Sequence, residues 1–192
     1  LTKISPNGTK IWSQRWGSVG EDIGYSVAVS GVDNFIYVTG FISGSVDGQT
    51  YQGFTDIILT KWSSDGVKQW TRMWGIANFD FGYGVGISSS NFIYVSGQTD
   101  GNLDGQTNAG SNDAFVTKWD SNGVKQWTRV AGSSSDDRSY AISVSTTEDA
   151  IYSAGYASGS VDGQTFAGGI KDVFLLKYNS TGDKQWTKML GS

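Results

Sequence analysis

The tripeptide Lys-Gln-Trp occurs at 68–70, 125–127 and 184–186, with a degenerate Lys-Ile-Trp at 10–12. Asp-Gly-Gln-Thr begins at Asp47, Asp104 and Asp162. Ile-Tyr-Val or Ile-Tyr-Ser begins at Ile36, Ile93 and Ile151, each followed by a glycine at 40, 97 or 155. Successive copies lie 57 to 59 residues apart along the whole 192-residue chain. A period so regular means that one supersecondary unit is used several times. The fold then depends on what the unit is and how its copies stack.

Four short runs suited to strands recur in each period. The first covers 24–30, 82–88 and 139–145, and the second 35–41, 92–98 and 150–156. The third covers 56–62, 113–119 and 172–178, and the fourth 67–74, 124–131 and 183–190. Val, Ile, Tyr, Phe, Trp and Thr dominate them, residues that fit a pleated, half-buried surface, and Gly, Asn, Asp and Ser punctuate them. Glycines at 8, 66, 123 and 182 mark a tight turn between third and fourth runs, where positive φ is needed. No segment shows a 3.6-residue apolar period with caps, so the expected fold class is all-β. Four antiparallel strands per unit is the arithmetic of a β-propeller blade. A solenoid coil would be shorter, and an immunoglobulin sandwich needs seven strands.

The repeat resembles the SBBP family, the "seven-bladed β-propeller" repeat of secreted and surface bacterial proteins. The residues that carry the resemblance are the run 113–119 (Asp-Ala-Phe-Val-Thr-Lys-Trp), the turn Ser121-Asn122-Gly123, and Gln126-Trp127. Gly17-Ser18, Gly20-Glu21-Asp22 and Ile36-Tyr37-Val38-Thr39-Gly40 continue it. It covers essentially the whole chain and implies an extracellular or cell-surface scaffold without a particular activity. In this frame the chain is one propeller segment: a half blade at 1–18, then blades at 19–75, 76–132 and 133–192. Propellers close with ~4 to 8 blades, so about three and a half should belong to a longer array or assemble with other copies.

Composition narrows the chemistry further. With no cysteine and no histidine, disulfides, thiolate nucleophiles, zinc-finger ligation and any triad with an imidazole base are excluded. The formal charge of −4 argues against a nucleic-acid partner, because few counterions would be released on binding. No apolar stretch reaches membrane-spanning length, so no membrane insertion is expected.

Antiparallel alternation places the long second-to-third loop and the fourth-to-first loop at one end of each blade, the top. The long loop carries Asp47 and Gln49, Asp104 and Gln106, and Asp162 and Gln164, which are the expected ligand-binding residues. Asp22, Asp80 and Asp137 each follow a glycine by five residues, and Asp56, Asp113 and Asp172 open the third strands. These six are the expected metal ligands. Calcium would be the cation, since it takes six to eight oxygens from carboxylates, amides and carbonyls. The competing reading is that Asp-Gly makes turns and that Asp at a strand start satisfies backbone donors. Neither the EF-hand nor the calcium-binding nonapeptide pattern is present, and no other cofactor is expected.

Trp12, Trp70, Trp127 and Trp186 recur on the outermost strand, where an indole either stacks on a sugar or packs; recurrence in every blade favours packing. Lys68 and Arg72 flank Trp70, and Lys125 and Arg129 flank Trp127, so strand alternation predicts both cations over the ring. Lys3, Lys61, Lys118 and Lys177 are expected to form one repeated ion pair per blade with an aspartate, without a catalytic role.

Three function classes follow. The leading expectation is a non-enzymatic extracellular module for binding or adhesion, with carbohydrate, another surface protein, further blades or copies of itself as partners. The alternative is a structural subunit of a surface layer, sheath or filament. An enzyme, such as a carboxylate-based glycosidase, needs one unique constellation. Here the carboxylates recur threefold and the singletons Glu21, Glu148 and Arg138 form no evident pair, so no catalytic residues are expected.

Overall fold

The computed structural model describes residues 1–192. Its strands are β1 (Thr2–Ile4), β2 (Lys10–Ser13), β3 (Asp22–Val29), β4 (Ile36–Ile42), β5 (Asp56–Trp62), β6 (Lys68–Trp74) and β7 (Asp80–Ile87). They continue as β8 (Ile93–Thr99), β9 (Asp113–Trp119), β10 (Lys125–Ala131), β11 (Asp137–Val144), β12 (Ile151–Ala157), β13 (Asp172–Tyr178) and β14 (Lys184–Leu190). A single 3-10 turn covers Leu103–Gly105. After the β1–β2 hairpin come three four-stranded antiparallel meanders, β3 to β6, β7 to β10 and β11 to β14. The first strands β3, β7 and β11 touch one another in series, so they line the centre and the fourth strands lie outside. This is an all-β arc of propeller blades that does not close on itself.

The third strands coincide with their expected ranges, while the first strands begin two residues earlier. Asp22, Asp80 and Asp137 are ladder residues opposite Ile42, Thr99 and Ala157 and do not belong to a loop. The tight turns are built as expected, with φ of 84°, 82°, 77° and 84° at Gly8, Gly66, Gly123 and Gly182.

The core lies in the seams between blades. Tyr37, Ile57 and Leu59 of the first blade pack with Ile93, Val95, Phe115 and Trp119 of the second. Tyr94, Ala114 and Val116 pack in turn with Ile151, Phe174, Leu176 and Tyr178 of the third. Trp12 and Trp16 of the hairpin region cover Ile36, Val38 and Trp62. Each fully buried large side chain contributes ~1.5–3 kcal/mol, so the seams dominate the stability. Beside the hairpin an open groove of 750 Å³ remains against the first blade, lined by Leu1, Trp16, Ile23, Val27 and Phe41 among others.

Every blade has two bulges, and the outer one corrects an expectation. In β6 Lys68 opposes Trp62 and Trp70 opposes Lys61, so Gln69 is an extra residue; Gln126 and Gln185 repeat this. The extra residue reverses the alternation, and Lys68 and Trp70 point to opposite faces. Arg72 does lie over Trp70, with its guanidinium carbon 5.2 Å from the ring, and Arg129 over Trp127 at 5.5 Å. Lys68 and Lys125 instead approach the seam rings, 5.8 Å from Trp62 and 5.2 Å from Trp119.

The third-strand lysines also differ from expectation. Lys3, Lys61 and Lys118 donate to the carbonyls of Ser64, Ser121 and Ser180 in the next blade's turn, at 2.9, 2.9 and 2.8 Å. The indoles of Trp12, Trp70 and Trp127 donate to the same three oxygens. Beside Lys61 a carboxylate is secondary, with Asp33 at 3.8 Å, whereas Lys177 donates to Glu148 at 3.3 Å. Gly66 and Gly182 are where this latch needs no side chain, because a Cβ there would come within 2.9 Å of the indole of Trp12 or Trp127.

Candidate ligand-binding rim and blade seams

The Asp-Gly turns are built by backbone conformation. Asp47, Asp104 and Asp162 sit at φ of 50°, 51° and 52°, followed by Gly48, Gly105 and Gly163 at 74°, 75° and 74°. Two successive left-handed residues make the tight reversal that Asp-Gly favours, and the N–H groups of Gln49, Gln106 and Gln164 close it. The loop folds back along the outer strand, so these six residues lie away from the top of the arc. The Asp47 carboxylate accepts from Lys68 and Thr71 at 2.5 Å each. Asp104 accepts from Lys125 at 2.6 Å and Thr128 at 2.5 Å, and Asp162 from Lys184 and Thr187. Burial raises the Asp47 pKa, but the bonds from Lys68 and Thr71 outweigh it and hold the carboxyl below its ordinary 3.8.

The other six aspartates occupy the top ends of the seams. Each accepts from a backbone N–H four or five residues before it: Ser18, Gln52, Ile76, Ala109, Ser133 and Ala167 donate to Asp22, Asp56, Asp80, Asp113, Asp137 and Asp172. The structure does not gather all six; no three acidic side chains converge. It brings together pairs across the two seams between full blades. At Gly75 a Cβ would lie 2.5 Å from Asp56 Oδ1 and 2.9 Å from Asp80 Oδ2. At Gly132 the same point would crowd Asp113 and lie 2.9 Å from Asp137 Oδ2. Asp56, Asp80 and Asp113 are wholly buried, and an Oδ1 of each has no hydrogen-bond partner. Burial, with a second carboxylate beside each, pushes Asp80 and Asp113 up to about 6. Asp137 differs, since Ser158 N–H satisfies its Oδ1 at 3.0 Å.

A second top-face feature was invisible in the repeated motifs. The bulged tyrosines of the inner strands form a ladder, Tyr25 to Tyr83 at 5.1 Å and Tyr83 to Tyr140 at 5.0 Å between ring centres. Phe54, Phe79, Phe81 and Tyr83 continue it as nearly parallel rings, 5.0, 6.5 and 5.9 Å apart. Phe54 is 62% exposed, Tyr140 48%, Tyr25 46% and Phe79 44%, so the strip faces solvent.

Beside it runs a polar chain found once in the molecule. The Tyr83 hydroxyl donates to Gln98 Oε1 at 3.0 Å, and Gln98 Nε2 donates to Asn112 Oδ1 at 2.9 Å. Asn112 Nδ2 and Arg138 Nε donate to Asp136 Oδ1 at 2.9 and 3.0 Å, and the Tyr156 hydroxyl donates to Asp136 Oδ2. Lys171 caps the Tyr156 ring at 3.7 Å. Burial alone would raise Asp136, but Tyr156 and Arg138 hold it below the ordinary carboxylate range; burial pushes the Tyr83 hydroxyl up to about 12. The singleton Arg138 therefore does have a carboxylate partner. Superposing the repeats in sequence shows why motif reading missed this chain: apart from Tyr83, which recurs as Tyr25 and Tyr140, its members stand where the copies disagree. Glu21, Phe79 and Asp136 are equivalent, as are Ile23, Phe81 and Arg138; Phe41, Gln98 and Tyr156; and Thr55, Asn112 and Lys171. Aligned divergence on an otherwise recurrent strand is the signal that finds them.

Comparison with known proteins agrees with this architecture. Residues 69–104 match the SBBP family, described as a beta-propeller repeat. The chain is also similar to the regulatory protein FlaEY of Caulobacter vibrioides, 27% identical over 174 residues. The match takes in 82% of this chain and 18% of FlaEY, so the chain spans less than a fifth of that relative's length.

Proposed function

From a chain built on the SBBP β-propeller repeat, we propose a non-enzymatic binding module of the cell surface or exterior, whose ligand sits on the axial rim of the arc. The observation that carries this reading is the convergence of repeat-divergent residues. The recurrent polar groups of the latches and Asp-Gly turns are consumed inside the scaffold, whereas Gln98, Asn112, Asp136, Arg138 and Lys171 vary and meet beside exposed aromatic rings. Rings that offer an apolar surface next to fixed amide, carboxylate and guanidinium groups suit a polar ligand with apolar faces, of which carbohydrate is the foremost class. Arg138 spends one of its five donors on Asp136, leaving others for a ligand. The chain holds no helix long and apolar enough to cross a membrane.

Affinity electrophoresis through gels containing dissolved xylan, alginate or dextran tests the proposal. Retardation in at least one gel, abolished by Arg138→Ala with Tyr83→Ala, is expected. Unretarded migration in all three would remove carbohydrate as the ligand. The assembly reading rests on a separate observation: Val27, Val29, Val173 and Leu190 on the two end blades are 55 to 77% exposed. Light scattering that returned a discrete multiple of 20.6 kDa would favour it.

A further inference from the structure

We infer that the seam between the first two blades is a binding site for one hard divalent cation, with calcium the expected ion, held by Asp56 and Asp80 in the space kept open by Gly75. Three observations carry it. Asp56 and Asp80 are both wholly buried, and each has an Oδ1 without a partner. The free Oδ1 of Asp56 and the Oδ2 of Asp80, which also accepts from Ile76 N–H, approach one point from opposite blades, 2.5 and 2.9 Å from where a Gly75 Cβ would sit. No cationic side chain forms an ion pair with either. Two buried anions facing each other without a counter-charge are costly, and a cation offsets both the desolvation and the repulsion.

The neighbouring seams act as internal contrasts. At Gly132 the Asp137 partner is already saturated by Ser133 and Ser158, leaving one free oxygen where the first seam leaves two. At Gly17 only Asp22 is present, and Ser18 bonds both its oxygens. The first seam is therefore the one that needs an ion. Calcium suits an all-oxygen donor set with flexible geometry better than magnesium, which demands a near-octahedral shell at shorter distances. Two carboxylates are few for a calcium site, which places the affinity in the weak range used by extracellular modules, on the order of 10⁻⁴–10⁻³ M.

The test uses the whole chain at pH 7.5, stripped with chelator. Calcium at ~10 mM should raise the melting temperature by ~3–10 °C, and magnesium should do so by much less. Terbium, standing in for calcium, should show luminescence sensitised by the tryptophans, since Trp74 directly precedes Gly75, and calcium should compete it away. Asp80→Asn should lose both responses. If that variant does not fold, Gly75→Ala fills the cradle and should lose them instead. Asp162→Asn, outside the seam, should keep both. An unchanged melting temperature with calcium overturns the proposal, as does a calcium response that survives Gly75→Ala. A calcium-free protein that gains stability from pH 7.5 to 5.5 and ignores calcium would show that the pair takes a proton, and would overturn it equally.

Discussion

The seams and the axial rim are built from the same strands and obey opposite rules. In the scaffold the copies agree: Lys61 and Lys118 reach the next turn across the seams, Trp70 and Trp127 share the same acceptors, and Asp47 and Asp104 take up a lysine and a threonine along the outer strand of their own blade. On the rim the tyrosine ladder recurs but the residues around it disagree, and Phe81 in one blade is Arg138 in the next. The contrast follows from what each region must satisfy. A seam has to match its neighbour, so every copy needs the same donors and the same shapes. The rim faces solvent and is free to differ, so its chemistry is the part of the molecule available to a partner. Recurrence marks the scaffold, and divergence marks the place where binding can be specific.

The largest test of this division lies in the seam core. Phe115 is 1% exposed and packs between the first and second blades, so Phe115→Ala should lower the unfolding free energy by about 3–5 kcal/mol in urea titration. Breaking one Asp-Gly anchor should cost less. Asp104→Asn keeps the turn residue tolerant of positive φ but weakens the bonds from Lys125 and Thr128, for a loss of about 1–2 kcal/mol by the same method. A seam substitution with no measurable effect would mean that the blades stand independently.

The equivalent residue Asp47 adds a pH signature. Its folded pKa lies below the ordinary 3.8, so it binds a proton less readily in the folded state than in the unfolded one. Its contribution is complete above that ordinary value and disappears as the pH falls through the folded value. Asp47→Asn should therefore flatten the acid limb of a melting-temperature profile below about pH 4 and leave its shape near neutrality unchanged. An unaltered acid limb would show that Lys68 and Thr71 do not favour the ionised form.

How much of this was legible differs element by element. The third strands were readable to the residue because an aspartate opens each and an aromatic closes each. The bulges at Tyr25 and Gln69 were not, since an extra residue in a ladder has no composition of its own; only the register shows it. That is why Lys68 was expected over Trp70 and lies instead near Trp62. The aspartates were recognised as a group, but the sequence could not separate those that face a lysine along the outer strand from those buried at a seam. The distinction depends on where the long loop between second and third strands folds, which its Gly- and Ser-rich composition leaves open.

The smallest stability effect belongs to the rim, and it is the one that bears on function. Phe79 is 44% exposed and stacks only on its ladder neighbours, so Phe79→Ser should change the unfolding free energy by no more than about 0.5 kcal/mol. The rim reading requires that the same substitution weaken polysaccharide retention while the outer-strand variant Asp104→Asn, once folded, leaves it intact. Stability and binding would then respond to separate sets of residues, the recurrent and the divergent. If Phe79→Ser instead destabilised the protein as Phe115→Ala does, the aromatic ladder would be core, and the division between seam and rim would fail at its clearest point.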